Sequence, residues 1–453
     1  MRSLEVLGAG SGEVTGSAFV LTDDERNKYI VDLGGFQGSG DNFARNKAPL
    51  SVDLSEVSAA FLTHSHYDHA ARLFHIADYN MPIFATRQTI EIARIILADA
   101  ARITPGLAPN GSYDKALDRA TFVDYDKPFK VNNLTVTYRN AGHVLGSASI
   151  EIEEKNGQKT VVSGDLGNPA SRIVKAATPI KWADIVLMES TYGDRDHQVE
   201  GQYEVFMEAV NWIRNRKDKK DRSKGKLLVP LYSFDRTQKF IWKAKKAKKE
   251  GNLSGIQFRL DSPMGAKITD HYSQNRSLLD PELQAEADPF GFDGLETTGS
   301  IQQSENIHNI HGPVVIYSSS GMMNGGRVGG HAIRLLSDPN NAILINGYAA
   351  EGTPSRQLLE DREHFKINGV HVEVNAQVFQ SHCDSAHAGQ SDLINWWENL
   401  NGERPPRHTV IIHGDNRGRT ALASELSKRT NGIISTPDIG TIVDFTTNGK
   451  QAA

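Results

Sequence analysis

The sequence predicts an α/β protein in which one domain is interrupted by another. Short apolar strand candidates with few helices between them fill the first part of the chain, up to about Gln198. Longer helical segments then alternate with apolar strand candidates at 227–231, 314–317 and 342–345, which is typical of a parallel α/β unit. After Val370 the pattern of short strands returns, so the chain re-enters the kind of structure with which it began.

The first part combines short strands with one clear helix. That helix covers 88–101, where apolar residues recur at helical spacing and Thr89 is available near the start. The strand candidates are 5–7, 17–21, 29–33, 59–63, 135–138, 149–152 and 160–163. These patterns divide the chain into a discontinuous first domain, 1–197 with 369–453, and an inserted domain, 198–368.

Composition and length indicate a folded protein without a membrane segment. A chain of 453 residues with 38% hydrophobic residues has room for two or three domains and a large core. No stretch approaches the eighteen apolar residues of a membrane span, and the first residues lack the apolar core of a signal peptide. Cys383 is the single cysteine, which excludes an internal disulfide and a cysteine-rich zinc site. We therefore expect a cytoplasmic protein.

Charge is distributed unevenly along the chain. The net charge of −5 argues against a protein that coats nucleic acid by bulk electrostatics. Two segments, 214–226 and 239–249, are nonetheless densely basic. Each is either the solvated face of a helix or a surface that binds a polyanion, and the charge pattern alone leaves both readings open.

A dense group of potential metal ligands lies at 63–70. Side chains of an extended strand alternate between its faces, so His64 and His66 would point the same way and could bind one ion. Asp68 and His69 follow where the chain must leave the strand, and they could point back toward a second ion. A lone histidine near a loop is usually solvated, but four ligands within six positions indicate a metal site.

Further candidate ligands stand at the ends of apolar runs. Asp32 could orient a metal-binding side chain by hydrogen bonding to it, although an aspartate at such a place more commonly caps a turn. His143 and Asp165 lie among glycines, where either could be a turn residue. Beside the first group, however, an added imidazole and a carboxylate able to bridge two ions are what a dinuclear site still needs. His413 ends the run 410–412 and would complete the second ion's ligands.

The order of these motifs resembles that of the metallo-β-lactamase superfamily, and later motifs resemble its β-CASP nuclease branch. The later motifs are Glu189–His197, Ser319–Arg327, Ser385–Ala388 and Ile412–Gly414. The resemblance extends from Glu13 to His413. It implies an αββα metallo-β-lactamase sandwich with an inserted α/β β-CASP domain as a lid, as in the nuclease subunit of the pre-mRNA cleavage machinery and its bacterial and archaeal counterparts.

The resemblance also implies a ligand set. His64, His66 and His143 would hold one Zn²⁺ and Asp68, His69 and His413 the other, with Asp165 bridging and Asp32 supporting the ligands from behind. Manganese or iron would suit the same ligands. The branch's DNA repair nucleases usually lack a histidine at the position of His413, which favours RNA as substrate.

The implied reaction is hydrolysis of single-stranded RNA by a hydroxide that two metal ions activate, with Asp68, Glu189 and His387 as the catalytic residues. His387, oriented by Glu189, would protonate the departing sugar oxygen. Phosphate contacts are expected from backbone N–H groups, hydroxyls and guanidinium groups in two loops. These residues are Ser233 and Arg236 in one loop and Ser319, Ser320, Gly321 and Arg327 in the other.

Three alternatives compete with this reading. A DNA nuclease would share every motif, and a hydrolase of small esters or thioesters would share the first metal motifs but not the inserted domain. A catalytically silent RNA-processing subunit would lack some of the metal ligands, and this chain has all of them. The sequence leaves open whether RNA is cut internally or from an end, and whether the protein forms a homodimer.

Overall fold

The computed structural model describes residues 1–38, 40–197, 203–216, 225–347, 349–381, 385–400 and 405–446. These residues belong to two compact units, one formed by Met1–Asp196 with Ala386–Ala453 and the other by His197–Ser385. The return to the first unit therefore comes later than the predicted position 369. The reason is a strand at Gln377–Ser381, which pairs with a strand of the second unit.

The strands follow one another in three runs. Before the insertion they are Ser3–Gly8 (β1), Ala18–Thr22 (β2), Lys28–Leu33 (β3), Val57–Phe61 (β4), Ile83–Thr86 (β5), Ala120–Val123 (β6), Phe129–Val131 (β7), Leu134–Asn140 (β8), Ala148–Glu153 (β9), Lys159–Val162 (β10) and Ile185–Met188 (β11). In the second unit they are Lys226–Pro230 (β12), Gln257–Asp261 (β13), Leu295–Thr297 (β14), Val314–Ser318 (β15), Ala342–Asn346 (β16), Lys366–Ile367 (β17), Val370–His371 (β18) and Gln377–Ser381 (β19). After the insertion they are His408–Ile411 (β20), Ile433–Ser435 (β21) and Ile442–Asp444 (β22).

The α-helices are distributed over both units. Those before the insertion are Asn42–Lys47 (α1), Tyr67–Ala70 (α2), Arg87–Ile103 (α3) and Ser112–Leu117 (α4). Those of the second unit are Glu204–Asn215 (α5), Arg236–Lys249 (α6), Pro263–Gln274 (α7), Pro281–Gln284 (α8), Ile301–Asn306 (α9), Val328–Leu335 (α10) and Pro354–Glu360 (α11). The last two are Gln390–Asn399 (α12) and Asn416–Ser427 (α13).

The first unit is a four-layer sandwich. One seven-stranded sheet has the order β22-β1-β2-β3-β4-β5-β6, and the other has the order β21-β20-β11-β10-β9-β8-β7. Side chains such as Phe19, Phe61 and Ile150 form one buried cluster between the two sheets. A second cluster joins the first sheet to α3 and α4, and a third joins the second sheet to α12 and α13. The αββα architecture is therefore confirmed.

Local sequence explains the long helix of this unit. The predicted helix at 88–101 is present as α3, and its apolar face includes the buried side chains of Ile92 and Leu97. It is capped by Thr86 rather than Thr89, because the Thr86 hydroxyl accepts a hydrogen bond from the Thr89 backbone N–H at 3.2 Å. The strand candidates of the first part are present as well, each shifted by a few residues at its ends.

Four strands of the second sheet run in the same direction and end at the same edge of the sheet. Because β9 is antiparallel to both β8 and β10, those two strands run the same way, and β11 and β20 run parallel to β10. The carboxyl ends of β8, β10, β11 and β20 thus lie along one edge of the sheet. In the first sheet β3 and β4 are parallel, so their carboxyl ends share an edge too.

The second unit is built on a six-stranded sheet with the order β14-β13-β15-β12-β16-β19. Every pairing in that sheet is parallel, which confirms the predicted parallel α/β unit. Its strands β12, β15 and β16 are buried along their whole length, as is typical when helices cover both faces.

Among the described residues, no helix is long and apolar enough to cross a membrane. The basic segment 214–226 falls mostly on residues 217–224, which lie outside the described residues, as does Cys383.

Candidate metal centre

The predicted ligands stand just beyond the carboxyl ends of strands. His64, His66, Asp68 and His69 follow β4, and Asp32 lies within the last residues of β3. His143 follows β8, Asp165 follows β10, Glu189 follows β11 and His413 follows β20. Strand direction therefore explains why side chains that are distant in sequence arrive at one place.

The first group of ligand atoms is compact. Nε2 of His64 lies 3.0 Å from Nδ1 of His66, and Nε2 of His143 lies 3.3 Å from that same Nδ1. Oδ2 of Asp165 faces the group at 3.4 Å from Nε2 of His64 and 3.6 Å from Nε2 of His143. Three imidazoles and one carboxylate oxygen thus converge on a common point.

The second group meets the other oxygen of Asp165. Oδ1 of that carboxylate lies 3.3 Å from Nε2 of His69 and 3.6 Å from Nε2 of His413. The two imidazole nitrogens are 3.1 Å apart, and Oδ2 of Asp68 lies 3.6 Å from Nε2 of His413. Asp165 therefore stands between the two groups, with one oxygen turned to each.

The donor set fits two metal ions. Two nitrogens bound to one tetrahedral zinc ion lie about 3.3 Å apart, given zinc–nitrogen bonds of about 2.0–2.1 Å. The observed separations of 3.0–3.3 Å between imidazole nitrogens are close to that value. Oδ1 of Asp165 is buried and accepts no hydrogen bond within the described part of the chain. A cation at each point would satisfy this oxygen and the facing lone pairs.

Four of the five ligand imidazoles are oriented from the side opposite the centre. Nδ1 of His69 lies 2.8 Å from Oδ2 of Asp32, and Nδ1 of His64 lies 3.1 Å from the hydroxyl of Thr63. Nδ1 of His143 lies 3.2 Å from the carbonyl oxygen of Ala386, and Nδ1 of His413 lies 3.0 Å from the hydroxyl of Thr191. These contacts leave Nε2 of the four rings directed at the centre. The partners of His64, His143 and His413 were not predicted, because nothing local in the sequence distinguishes them.

Two residues of the centre have left-handed backbone conformations. Asp32 has φ 57° and His413 has φ 50°, a region that side chains other than glycine rarely adopt. The backbone of His413 is held on both sides, because its N–H donates to the carbonyl of Ala9 at 2.9 Å and its carbonyl accepts from the N–H of Ser190 at 3.0 Å. Such strain persists when the surroundings fix the conformation, and it concentrates at functional sites.

Burial and charge set the protonation of the ligands. Burial lowers the pKa of His66 to about 3 and also lowers the pKa of His64 and His143, so these rings are neutral and offer lone pairs. For His69, burial acts to lower the pKa, but the carboxylates of Asp165 and Asp32 outweigh it and raise the pKa well above its ordinary value. Metal binding at His69 must therefore displace a proton.

A carboxylate–histidine pair adjoins the centre. Nδ1 of His387 lies 3.4 Å from Glu189 and 3.9 Å from Oδ2 of Asp165. Glu189 is buried and accepts hydrogen bonds from the backbone N–H groups of Leu166 at 2.6 Å and Thr191 at 3.3 Å. Burial opposes protonation of His387, but the Glu189 and Asp165 carboxylates prevail and raise its pKa above the ordinary value. The structure thus brings together all the predicted residues of the first domain.

Replacing Asp32 with Asn should weaken metal binding about 10- to 100-fold, because the Nδ1 of His69 would lose its charged acceptor. Asparagine keeps the shape of the side chain and tolerates the left-handed backbone. Competition against a fluorescent chelator measures the affinity. Asp23→Asn is a matched control, since Asp23 is equally buried but bonds Asn27 and Tyr29 instead. Equal affinities in both variants would refute the orienting role.

Two of the predicted phosphate contacts of the second unit, Ser233 and Ser319, belong to a cluster of serines. The hydroxyl of Ser233 lies 2.6 Å from that of Ser319, and the hydroxyl of Ser262 lies 2.8 Å from that of Ser319. Ser262 was not predicted, although it follows β13 in the way that Ser319 follows β15. The Ser320 hydroxyl oxygen is buried without a hydrogen-bond partner among the described residues, and Gly321 packs so closely on Tyr232 that a Cβ would lie 2.8 Å from its ring.

The two predicted arginines are engaged inside the unit instead. Arg327 donates to Oδ1 of Asp261 at 2.6 Å and to the carbonyl of Gly299 at 2.9 Å. Arg236 donates to the carbonyl of Asn346 at 2.6 Å. The phosphate contacts expected of these two guanidinium groups stay a prediction, and in the structure protein acceptors hold both groups. The physical reason is that buried carboxylate and carbonyl oxygens near each arginine need a donor.

The basic segment 239–249 is largely neutralised within the unit. Lys246 lies 2.8 Å from Glu282, and Lys245 lies 3.2 Å from Glu286. Lys248 and Lys249 also face carboxylates of the segment that follows α7. Of the two readings that the charge pattern left open, the structure favours a paired helix face over a polyanion-binding surface.

Family models match most of the chain. Residues 34–219 match the Beta-lactamase superfamily domain, and residues 239–358 match the Beta-Casp domain. Residues 371–437 match the Zn-dependent metallo-hydrolase RNA specificity domain.

Characterised relatives match along nearly the full chain. It is 33% identical to a ribonuclease of Thermus thermophilus over 92% of this chain and 94% of that protein. It is 24% identical to an RNase J-like protein of Methanocaldococcus jannaschii over 96% of this chain and 98% of that protein. It is 27% identical to subunit 3 of the cleavage and polyadenylation specificity factor of Dictyostelium discoideum, over 95% of this chain and 55% of that longer protein.

A solved structure supports the fold. A protein of unknown function from Enterococcus faecalis superposes with a TM-score of 0.61 at 14% identity, covering 98% of this chain and all of that one. The αββα sandwich, the paired ligand groups and the matches to the ribonuclease and to all three domain families agree with one another. The chain therefore belongs to the β-CASP family of metal-dependent nucleases, within the metallo-β-lactamase superfamily.

Proposed function

We propose that this chain is a ribonuclease that hydrolyses phosphodiester bonds of single-stranded RNA with two bound Zn²⁺ ions. The observation that carries the proposal is the position of Asp165. Its two oxygens face two separate groups of ligand atoms, at 3.3–3.6 Å from imidazole nitrogens on either side. A carboxylate so placed can bridge two cations, which is the arrangement that phosphodiester hydrolysis by two metals requires.

The main contribution of the chain itself is to hold the metal-binding side chains in position. His64, His66 and His143 would bind one ion, and Asp68, His69 and His413 the other. When bound, the two ions lower the pKa of a shared water and neutralise charge on the phosphodiester. The orienting contacts of Asp32, Thr63 and Thr191 keep the imidazole nitrogens directed at the centre, so little rearrangement is needed on binding.

His387 would supply the proton that the leaving oxygen needs. Its Nδ1 faces Glu189, which directs the opposite nitrogen, Nε2, away from that carboxylate. The raised pKa of His387 favours a protonated ring near neutral pH, as a general acid requires. Asp68, within 3.6 Å of His413, adds negative charge to the second group of ligands.

RNA is the substrate that the comparisons support best. Two of the three relatives reported above are named a ribonuclease and an RNase J-like protein, and one matching family model is described as an RNA specificity domain. A full ligand set argues against a silent subunit. The serine cluster of Ser233, Ser262 and Ser319 offers hydroxyl donors for phosphate oxygens. A cytoplasmic location and a homodimer stay predictions.

Digestion of matched RNA and DNA tests the proposal. We expect the purified protein to cleave a single-stranded RNA labelled at either end and to cleave DNA of the same sequence far more slowly. Chelation should remove both activity and metal, and two equivalents of Zn²⁺ per chain should restore them, as counted by mass spectrometry. Undiminished cleavage by metal-free protein, or equal rates on both strands, would contradict the proposal. The product ladders also distinguish internal from terminal cutting.

A further inference from the structure

A turn in the first unit gathers two exposed arginines around one buried carboxylate. Asp194, only 5% exposed, accepts hydrogen bonds from Nη1 of Arg195 at 3.0 and 3.1 Å and lies 2.8 Å from Nε of Arg417. The arginine side chains are 47% and 77% exposed. Because one carboxylate faces two guanidinium groups, the cluster of Asp194, Arg195 and Arg417 carries a net positive charge. The reaction proposed above uses none of these residues.

This turn is tied to the segments that carry the candidate site. Gln390, three positions after His387, donates its backbone N–H to the carbonyl of Arg195 at 2.9 Å and its side-chain amide to the carbonyl of Gly193 at 2.6 Å. A Cβ on Gly193 would lie 2.4 Å from the carbonyl oxygen of Gly418, so only glycine allows this close approach to the start of α13. The arginines are therefore fixed relative to the metal centre.

A tyrosine ring lies near both Arg195 and His387, the proposed general acid. The ring centroid of Tyr192 is 6.4 Å from that of His387, and Cζ of Arg195 is 4.8 Å from the Tyr192 centroid. Arg417 lies four positions after His413, near the amino end of α13, where the helix dipole also favours an anion. Tyr192 thus connects the Arg195 guanidinium to the surroundings of His387.

We propose that Arg195 and Arg417 together bind a backbone phosphate of the RNA next to the phosphate that is cleaved. This inference rests on the proposed function. The guanidinium fork matches phosphate oxygens, and each arginine uses only one part of its fork on Asp194. Asp194 orients both side chains in advance, which reduces the entropy lost when phosphate binds.

An ordinary surface ion pair provides the contrast. Arg94 is also in the first unit, but it faces two carboxylates, those of Asp114 and Asp118, which are 76% and 69% exposed. There Nη1 and Nη2 each face an exposed carboxylate, and such surface pairs contribute little to stability. Arg94 therefore provides a matched control for the loss of one arginine.

Salt-dependent kinetics of the metal-loaded protein test the inference. In Arg195→Gln and in Arg417→Gln we expect kcat/KM on single-stranded RNA to fall about tenfold, because a charge-assisted hydrogen bond is lost. The slope of log kcat/KM against log salt should become shallower by about 0.7 per arginine. At saturating RNA, kcat and the metal content should stay at wild-type values. Arg195→Lys should keep the slope, and Arg94→Gln should change neither quantity.

The outcomes separate this inference from the proposed activity. Wild-type salt slopes in the double variant Arg195→Gln/Arg417→Gln would overturn the phosphate contact, and so would a loss of bound metal that accounts for the lower rate. Binding of a fluorescent phosphorothioate RNA to the metal-loaded variants gives the same slopes without cleavage. If the wild-type protein binds the phosphorothioate RNA but does not cut the unmodified RNA, the proposed function fails, while the binding slopes still test the phosphate contact.

Discussion

Replacing Asp165 with Asn will reduce RNA cleavage at least about a thousandfold and will lower the bound metal from two ions per chain to one or none. An amide presents a single oxygen and no charge, so it cannot bridge two cations. The charge stabilisation that metal ions give to such a transition state is about several kcal/mol, and each 1.36 kcal/mol corresponds to a factor of ten. Cleavage rates and metal counts should be measured on the same preparations.

The choice of Asn keeps the fold intact in this test. Asp165 is buried, and Asn fills nearly the same volume. Asp184→Asn is the control. Asp184 is a buried aspartate immediately before β11, and it accepts a hydrogen bond from the backbone N–H of Lys159 at 3.0 Å. The control should retain two ions and full activity. Two ions and normal cleavage in Asp165→Asn would remove the basis of the bridging assignment.

Replacing His387 with Asn should lower kcat on RNA by about 10²- to 10⁴-fold, because protonation of the leaving oxygen contributes about that much. Both ions should remain bound, since His387 is not among the proposed ligands. Glu189→Gln should show a smaller loss, because Gln can still accept one of the two backbone N–H groups that Glu189 holds. Steady-state kinetics with metal counts distinguish these effects from loss of the centre.

A second substrate isolates the role of the proton. Bis(p-nitrophenyl) phosphate releases p-nitrophenolate, a stable anion that needs no proton to depart. If His387 is the general acid, His387→Asn should hydrolyse this ester at close to the wild-type rate while failing on RNA. An equal loss on both substrates would assign His387 to positioning or to metal binding instead. His75→Asn is a suitable control, because His75 is a half-buried histidine of the same unit that bonds the carbonyl of Asn46.

The candidate ligands could be predicted because their chemistry is local. The spacing of His64, His66, Asp68 and His69 after an apolar strand already indicates a metal site, and His143, Asp165 and His413 each end an apolar run. Strand direction then brings these ends together along one edge. The roles of Thr63, Thr191 and the Ala386 carbonyl could not be predicted, because any hydroxyl or carbonyl can orient an imidazole and only proximity selects one.

Charge was the property that the sequence described least well. The lysines of α6 formed a basic run that could have bound a polyanion, but their partners Glu282 and Glu286 come from a segment more than thirty positions later. Arg327 lay in a glycine-rich motif, but Asp261 from a neighbouring strand holds it. In contrast Arg195 and Arg417 belong to no basic run and lie far apart in sequence. Only the fold places both beside one carboxylate.

The sequence by itself determined the α/β class and predicted the interrupted first domain and the candidate ligands of the metal centre, because periodicity and ligand spacing are local properties. The tertiary structure decided where the insertion ends, which histidines share an oxygen of Asp165, and which cations are neutralised. These depend on distances between residues remote in sequence. The strength of an electrostatic contact depends on separation and burial, and neither can be read from the order of residues along the chain.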